Sequence, residues 1–86
     1  MTDKINYSKL RSLSVRKIIL ALIKDNFYLA EQSGSHQQYR HPDGRRVTVT
    51  FHHSGDTFKP KTLKSMVEIQ AKWSKEDLIR LKLISE

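Results

Sequence analysis

The sequence of 86 residues contains no cysteine, so disulfide bonds and thiolate metal sites are both excluded. It also lacks a long apolar run: the longest, Ile18 to Ile23, is much shorter than the roughly 20 residues that a membrane-spanning helix needs. The N-terminal stretch MTDKINYSKLRSLSV has no apolar segment of the kind found in secretion signals. We therefore expect a soluble cytoplasmic protein. Phosphate-binding loops and dinucleotide-binding glycine motifs are absent as well, and we expect no cofactor.

Acidic residues are scarce relative to basic ones. Nine Asp and Glu stand against sixteen Lys and Arg, which gives a formal net charge of +7 and an isoelectric point near 9.9. A compact domain this basic suits a polyanion, and nucleic acid is the leading candidate, although an acidic protein partner would also fit. The length allows one domain and no second core.

Apolar residues recur with helical spacing in three segments. After Ser14, a good N-cap, the pattern predicts a first helix over residues 15–25, with Asn26 as its left-handed terminator. Pro60 suits the first position of a second helix. A third helix is predicted over residues 75–84, because the sequence WSKEDL combines a capping-box pattern with a hydrophobic staple.

Alternating apolar and polar residues predict three strands between the first two helices, over residues 27–32, 36–41 and 46–51. Ser33-Gly34-Ser35 supplies a tight turn between the first pair, and Pro42-Asp43-Gly44 closes the second pair as a hairpin. The order α-β-β-β-α, with an extra C-terminal helix, predicts an α+β domain in which helices cover one face of a three-stranded antiparallel sheet.

Residues 14–86 form this single domain in our interpretation. Residues 1–13 are weakly patterned and are interpreted as an N-terminal extension, part of which we expect to be disordered. Leu10 and Leu13 are the residues of the extension that can pack onto the domain.

The strand alternation predicts a contiguous polar face across the hairpin. Tyr39 is the most apolar residue of the second strand, so residues 37, 39 and 41 are assigned to the face that the helices cover. Tyr28, whose parity is opposite to that of Phe27, could offer an exposed surface on which a base stacks. The uncovered face of the hairpin then carries His36, Gln38, Arg40, Arg46, Thr48 and Thr50.

His36 is the first candidate for chemistry on this polar face. A neutral imidazole can accept a proton, and a cationic one can donate it. An exposed histidine without a role is the commoner situation. Here Arg40, Arg45 and Arg46 lie nearby in the predicted hairpin and can donate hydrogen bonds to phosphate. These neighbours favour a site for an anionic substrate.

The stretch FHHSG, at the end of the third strand, contains two adjacent histidines. Because successive side chains of a strand alternate in direction, at most one of them joins His36. Metal binding is disfavoured, since the imidazoles of His36, His52 and His53 have no helical HExxH framework and no cysteine beside them.

The stretch KPKTLK, around the start of the second helix, adds Lys59, Lys61 and Lys64. Backbone N–H groups at a helix start are unpaired, and the helix dipole favours an anion there. Lysine is the wrong charge for this position on stability grounds alone, which favours phosphate binding over a merely solvated first turn.

The segment SGSHQQYRHPDGRRVTV, followed by HSG and then KPKTLKSMV, resembles the HicA (YcfA-like) toxin family of mRNA interferases. The similarity covers about residues 14–83. Its motifs are jointly specific because they occur in a fixed order: Gly-Ser-His, His-Pro-Asp-Gly, a valine-rich strand and Pro-x-Thr-Leu. The sequence departs from the family pattern at Asn26, where Gly is frequent, and at Lys72-Trp73, where Gly-Leu is common.

The resemblance implies a fold like that of the double-stranded-RNA-binding domain and an endoribonuclease activity on mRNA. His36 matches the family's catalytic histidine, and Gly34 and Ser35 match the turn before it. His53 falls on the H-x-G position after the third strand, which makes it the candidate for a second acid/base group. The implied protein partner is a HicB-type antitoxin that covers the active face.

We therefore expect metal-independent cleavage of mRNA, in which the 2′-OH attacks its own phosphate and His36 moves the proton. The sequence leaves two other functions open: a non-catalytic double-stranded-RNA-binding module, and a protein-interaction domain whose positive face docks an acidic partner. The residues expected to bind the RNA phosphates are Ser35, Arg40, Arg46, Lys59, Lys61 and Lys64.

Overall fold

The computed structural model describes residues 5–84, and the predicted α+β order is confirmed. The expectation of disorder within residues 1–13 falls in part on residues 1–4, which lie outside the described residues. No helix within residues 5–84 is long and apolar enough to cross a membrane. The elements are α1 (Tyr7–Leu10), α2 (Val15–Lys24), β1 (Tyr28–Ser33), β2 (His36–Arg40), β3 (Arg46–Thr50), α3 (Pro60–Lys64) with a π-helical continuation (Ser65–Gln70), and α4 (Lys75–Arg80).

Helix α2 begins and ends where its capping residues predict. The Ser14 hydroxyl accepts a hydrogen bond from the Lys17 N–H, and Asn26 takes the left-handed conformation with φ 71°. The loop after β3 satisfies two more N–H groups of the first turn. Val15 donates to the Asp56 carbonyl at 2.8 Å and Arg16 to the Ser54 carbonyl at 3.0 Å. The loop is therefore fixed to the start of α2.

The three strands pair in the order β1-β2-β3, and both connections are antiparallel. Gly34 supplies the positive φ of 58° that the two-residue turn between β1 and β2 requires. The covered face carries Tyr39, Val47 and Val49, which are at most 3% exposed. Leu29 pairs with Tyr39 on the same face, but it lies on the edge strand and is 46% exposed.

The N-terminal extension contributes to the core. Leu10 is 2% exposed and Leu13 is 9% exposed, and the hydroxyl of Tyr7 donates a hydrogen bond to the Glu68 carboxylate. Helix α4 is shorter than predicted and is followed by a turn in which Lys82 takes a φ of 62°. Its predicted capping box is present, because the Ser74 hydroxyl and the Asp77 carboxylate each accept from the other's backbone N–H.

A buried carboxylate joins the two ends of the domain. Asp25, 9% exposed, accepts hydrogen bonds from the Trp73 indole N–H at 2.8 Å and from Arg80 at 2.9 Å. Arg45 lies 3.3 Å from the same carboxylate, donates to the Ala71 carbonyl, and covers the ring of Phe27 at 4.9 Å. The end of α2, the β2–β3 turn and α4 are therefore held by one anion.

The first prediction concerns Asp25. Burial acts to raise its pKa, but the hydrogen bonds from Trp73 and Arg80 and the charges of Arg45 and Arg80 together hold that pKa below its ordinary value. We expect Asp25→Asn to lower the free energy of unfolding by about 2–4 kcal/mol at pH 7. Because the pKa is lower in the folded state, this contribution is present above about pH 4 and is lost as the pH falls through the folded pKa.

Urea denaturation at pH 7 and at pH 3 measures the difference in the free energy of unfolding between wild type and Asp25→Asn. This difference should be smaller at pH 3. Glu31→Gln, which changes an exposed carboxylate on β1, is the control and should shift stability by less than about 0.5 kcal/mol. A gap of equal size at both pH values would contradict the role of the ionised carboxylate.

The second prediction concerns Lys72, which has a φ of 55° where the family pattern often has glycine. A left-handed conformation costs an L-residue about 1–2 kcal/mol, whereas glycine adopts it without a Cβ clash. We expect Lys72→Gly to stabilise the protein by about 0.5–1 kcal/mol in thermal or urea unfolding. Lys75→Gly, in the first turn of α4, is the matched control and should destabilise it.

Candidate functional site

The uncovered face of the sheet is a regular grid of side chains. Residues that are paired across antiparallel strands point to the same side of a sheet, so each set of partners forms a row across the three strands. Successive rows are two residues apart along β2, which is about 7 Å. The three rows are Ser33–His36–Thr50, Glu31–Gln38–Thr48 and Tyr28–Arg40–Arg46.

His36 lies at one end of this grid, as the first residue of β2, and is exposed. The turn before it is fixed by Gly34 and by the Phe51 N–H, which donates to the Ser35 carbonyl at 3.0 Å. The backbone that carries the imidazole is therefore rigid while the ring is open to solvent. In this position the ring can exchange a proton with a bound ligand.

A groove runs beside His36, between β3 and α3. Gln70 accepts a hydrogen bond from the Thr48 N–H at 2.8 Å and so covers the edge of β3. Because Thr50 lines the groove and is also the cross-strand partner of His36, the groove and the imidazole are adjacent. Its lining of hydroxyl, amide and ammonium groups suits an anion. The lining residues are Thr48, Thr50, Lys61, Thr62, Ser65 and Gln70 above Phe58 and Met66.

The three lysines of the KPKTLK stretch take different positions. Lys61 lines the same groove as Thr50. Lys59 is the N-cap of α3 and makes no side-chain cap, and Lys64 ends α3. All three are exposed, so they add positive potential near the groove, but only Lys61 is among its lining residues.

Arg40 and Arg46 are paired across β2 and β3 in the row farthest from His36. Four residues of strand separate them from the His36 row, a distance of about 13 Å. One phosphate at His36 is therefore too distant for both arginines, which face a different part of any bound chain. Arg45, the third arginine of the sequence prediction, is not available for phosphate because it is bonded to Asp25, Asp43 and the Ala71 carbonyl.

The two histidines after β3 lie in a tight loop. Their backbone N–H groups donate to the Asp56 carboxylate at 3.1 Å and 3.0 Å, and these two hydrogen bonds hold the Asp56 pKa below its ordinary value. Both histidines are exposed, and His52 lines a small cavity together with Gln32 and Gln37, which pair on the face opposite His36. The sequence prediction selected His53. Choosing between neighbouring histidines requires the loop geometry, which no local pattern in FHHSG reveals.

His41 belongs to the framework of the fold. Its ring meets Phe27 edge-on at 5.0 Å, and its Nδ1 accepts a hydrogen bond from the Asp43 N–H at 3.1 Å. These contacts leave His41 at the Pro42-Asp43-Gly44 turn, remote from His36 along β2.

The fold and the grid of polar side chains define a small α+β domain of the type found in double-stranded-RNA-binding domains, with a basic uncovered face. A family model described as HicA toxin of bacterial toxin-antitoxin matches residues 15–73, from the start of α2 to Trp73. The chain therefore belongs to the HicA toxin family, which makes it a toxin of a toxin–antitoxin system with an antitoxin as its partner. A search of curated protein sequences gave no match.

The third prediction compares how much a residue of the candidate site and a residue of the core contribute to the free energy of unfolding. His36 is exposed, so we expect His36→Ala to change the free energy of unfolding by less than about 0.5 kcal/mol. Tyr39 is on the same strand but 3% exposed, and Tyr39→Ala should cost about 3 kcal/mol or more. Urea denaturation compares the two variants. A loss above about 1 kcal/mol in His36→Ala would mean that the imidazole supports the fold.

Proposed function

We propose that this protein is an endoribonuclease that cleaves mRNA without a metal ion and that His36 is its catalytic acid/base. The observation that supports this proposal is the exposed His36 imidazole, held on a rigid turn beside the Thr50 and Lys61 groove. A net charge of +7 attracts a polyanionic chain to this face.

In the proposed reaction the 2′-OH of a ribose attacks the adjacent phosphorus while His36 accepts its proton. The bond from phosphorus to the 5′-oxygen of the next nucleotide breaks, which gives a 2′,3′-cyclic phosphate and a 5′-OH end. Lys61 lines the same groove as Thr50 and stabilises the charge that develops on the phosphoryl oxygens.

A second group must give a proton to the leaving 5′-oxygen. His53 is the sequence candidate, and both His52 and His53 lie within three residues of Thr50, the cross-strand partner of His36. We therefore propose His52 as a second candidate beside His53, and the cleavage kinetics of variants at the two positions distinguish them. Ser35, one residue before His36 in the turn, is the proposed hydrogen-bond donor for a phosphate oxygen.

The remaining cations bind the RNA chain away from the reacting phosphate. Arg40 and Arg46, about 13 Å from the His36 row, hold a different phosphate, and Lys59 and Lys64 raise the potential around the groove. An HicB-type antitoxin with acidic residues would bind this face by charge complementarity and would then exclude RNA from His36.

The fourth prediction tests the catalytic role. Purified wild-type protein incubated with mRNA in EDTA should produce fragments that end in cyclic phosphate. His36→Ala, still folded by urea denaturation, should cleave at least about 100-fold more slowly. Substrate with a 2′-deoxy nucleotide at the cut position should stay intact. Cleavage by His36→Ala at the wild-type rate would disprove the assignment.

His52→Ala and His53→Ala form a matched pair for the second group. The variant that lacks the true proton donor should lose the basic limb of the pH–rate profile, and its loss of rate should be largest at acidic to neutral pH, where the wild-type donor is protonated. If RNA remains intact with wild-type protein and binding is salt-sensitive, the protein is a non-catalytic RNA-binding module instead.

A further inference from the structure

The row Tyr28–Arg40–Arg46 combines one exposed aromatic ring with two guanidinium groups on the uncovered face. We propose that this row is a binding subsite for one unpaired nucleotide of single-stranded RNA, with the base stacked on Tyr28 and the phosphate held by Arg40 and Arg46. Its place relative to the cut rests on the proposed function, whereas RNA binding at the row does not require catalysis.

A β-bulge puts Tyr28 on this face. The register between β1 and β2 shifts between Leu29 and Glu31, so that Ala30 is an extra residue on β1. Counting back from Ser33 without the bulge, position 28 would face the helices and Leu29 would face solvent. Bulges often redirect a side chain next to a functional site. Here the bulge brings a tyrosine into line with Arg40.

Tyr28 is not part of the hydrophobic core. Its side chain is 53% exposed, and within residues 5–84 its hydroxyl makes no hydrogen bond. By contrast, Phe27, Tyr39, Phe58 and Trp73 are at most 8% exposed, and Tyr7 and Phe51 are partly buried against the core. An exposed aromatic ring can stack on a base, since every base has a π-face.

The two arginines of the row are not committed to partners in the fold. In the described part of the chain neither Arg40 nor Arg46 forms an ion pair, and Arg40 Nε is shielded from solvent without a hydrogen-bond acceptor. Arg45, by contrast, has both a carboxylate and a carbonyl as partners. A phosphate oxygen can accept hydrogen bonds from the terminal guanidinium N–H groups of Arg40 and Arg46.

Glu31 favours one path for a bound RNA strand across the grid. It lies on the same face, in the β1 position of the middle row, and its carboxylate repels phosphate. The sugar–phosphate backbone is therefore favoured along β2 and β3, from Arg46 toward Thr50 and Lys61, with the bases turned toward β1. In this orientation a base at the row of Arg40 and Arg46 meets Tyr28.

The spacing gives the position of the stacked base. Tyr28 lies two row spacings from His36, with one row between them. Each spacing of about 7 Å is comparable to the backbone repeat of an extended single strand. The base on Tyr28 is therefore two nucleotides from the cleaved phosphate. A duplex cannot present such a base, because its bases are stacked on one another and paired. The subsite thus selects single-stranded RNA.

Binding is measured in the full chain with His36→Ala, so that RNA stays intact, using fluorescence anisotropy of a labelled 12-nucleotide RNA of mixed sequence. Adding Tyr28→Leu should weaken binding roughly 5- to 50-fold, whereas Tyr28→Phe, which keeps the ring, should bind as the parent. Ile23→Ala is the matched control, since Ile23 is 55% exposed but lies on α2 in the covering layer.

The same RNA annealed to its complement should bind with equal affinity to the parent and to Tyr28→Leu. Arg46→Gln should lower the slope of log affinity against log salt by about 0.7 for the single strand. Glu31→Gln should tighten single-strand binding. Unchanged single-strand affinity in Tyr28→Leu, or an equal loss for the duplex, overturns the subsite.

Cleavage locates the subsite relative to the cut. Abasic nucleotides are placed one at a time on both sides of the cut bond, in wild-type and in Tyr28→Leu protein with His36 intact. We expect one position, two nucleotides from the cut, at which loss of the base slows cleavage by wild-type protein. At that position the abasic substitution should not slow cleavage by Tyr28→Leu any further. Additive losses at every position overturn the stacking contact.

The two proposals fail separately. If wild-type protein does not cleave RNA, the proposed function fails, but the binding comparison with His36→Ala still decides the subsite. If cleavage depends on His36 and Tyr28→Leu both cleaves and binds single-stranded RNA as its parent does, the proposed function stands and the subsite is wrong.

Discussion

The carboxylate of Asp25 is the interaction on which the arrangement of this small domain depends. A charge buried to 9% exposure must be paired, and its partners Trp73, Arg80 and Arg45 come from three distant parts of the chain. Pairing the anion therefore fixes α4 and the β2–β3 turn against the end of α2. It also removes Arg45 from the outer surface and leaves its neighbour Arg46, on the opposite side of the strand, for ligands.

The open face of the sheet follows from the size of the chain. An 86-residue domain has helices enough to cover one face of three strands, so the other face meets water and must be polar. Polarity alone does not make a site. What distinguishes this face is the fixed arrangement of its side chains. The antiparallel register places the row of His36 and the row of Arg40 and Arg46 at a fixed separation, and the groove that contains Lys61 is next to the His36 imidazole.

Local signals made most of the fold predictable. Ser14, Asn26, Gly34 and Pro60 act through nearest neighbours in the chain, and each has the role that its residue type predicts. The same logic assigned His36 and Arg40 to the open face. The Asp25 cluster could not be predicted, because its members are 20 to 55 residues apart and no local pattern marks an aspartate near a helix end as buried. The bulge at residue 30 and the separation of the arginines from His36 depend on the register, which alternation alone does not fix.

The helices outside the matched family region act on the covered side only. Residues 15–73 contain the whole grid and the groove, whereas α1 and α4 add Leu10, Leu78 and the leucines that follow α4 to the core. Their burial strengthens the framework without covering the sheet. Under the proposed function, an antitoxin and an RNA chain that both use the uncovered face would compete for the same rows, and the affinity of one would set the concentration of the other that is needed to displace it. Such competition would regulate the toxin by occupancy of this face and would require no change in its fold.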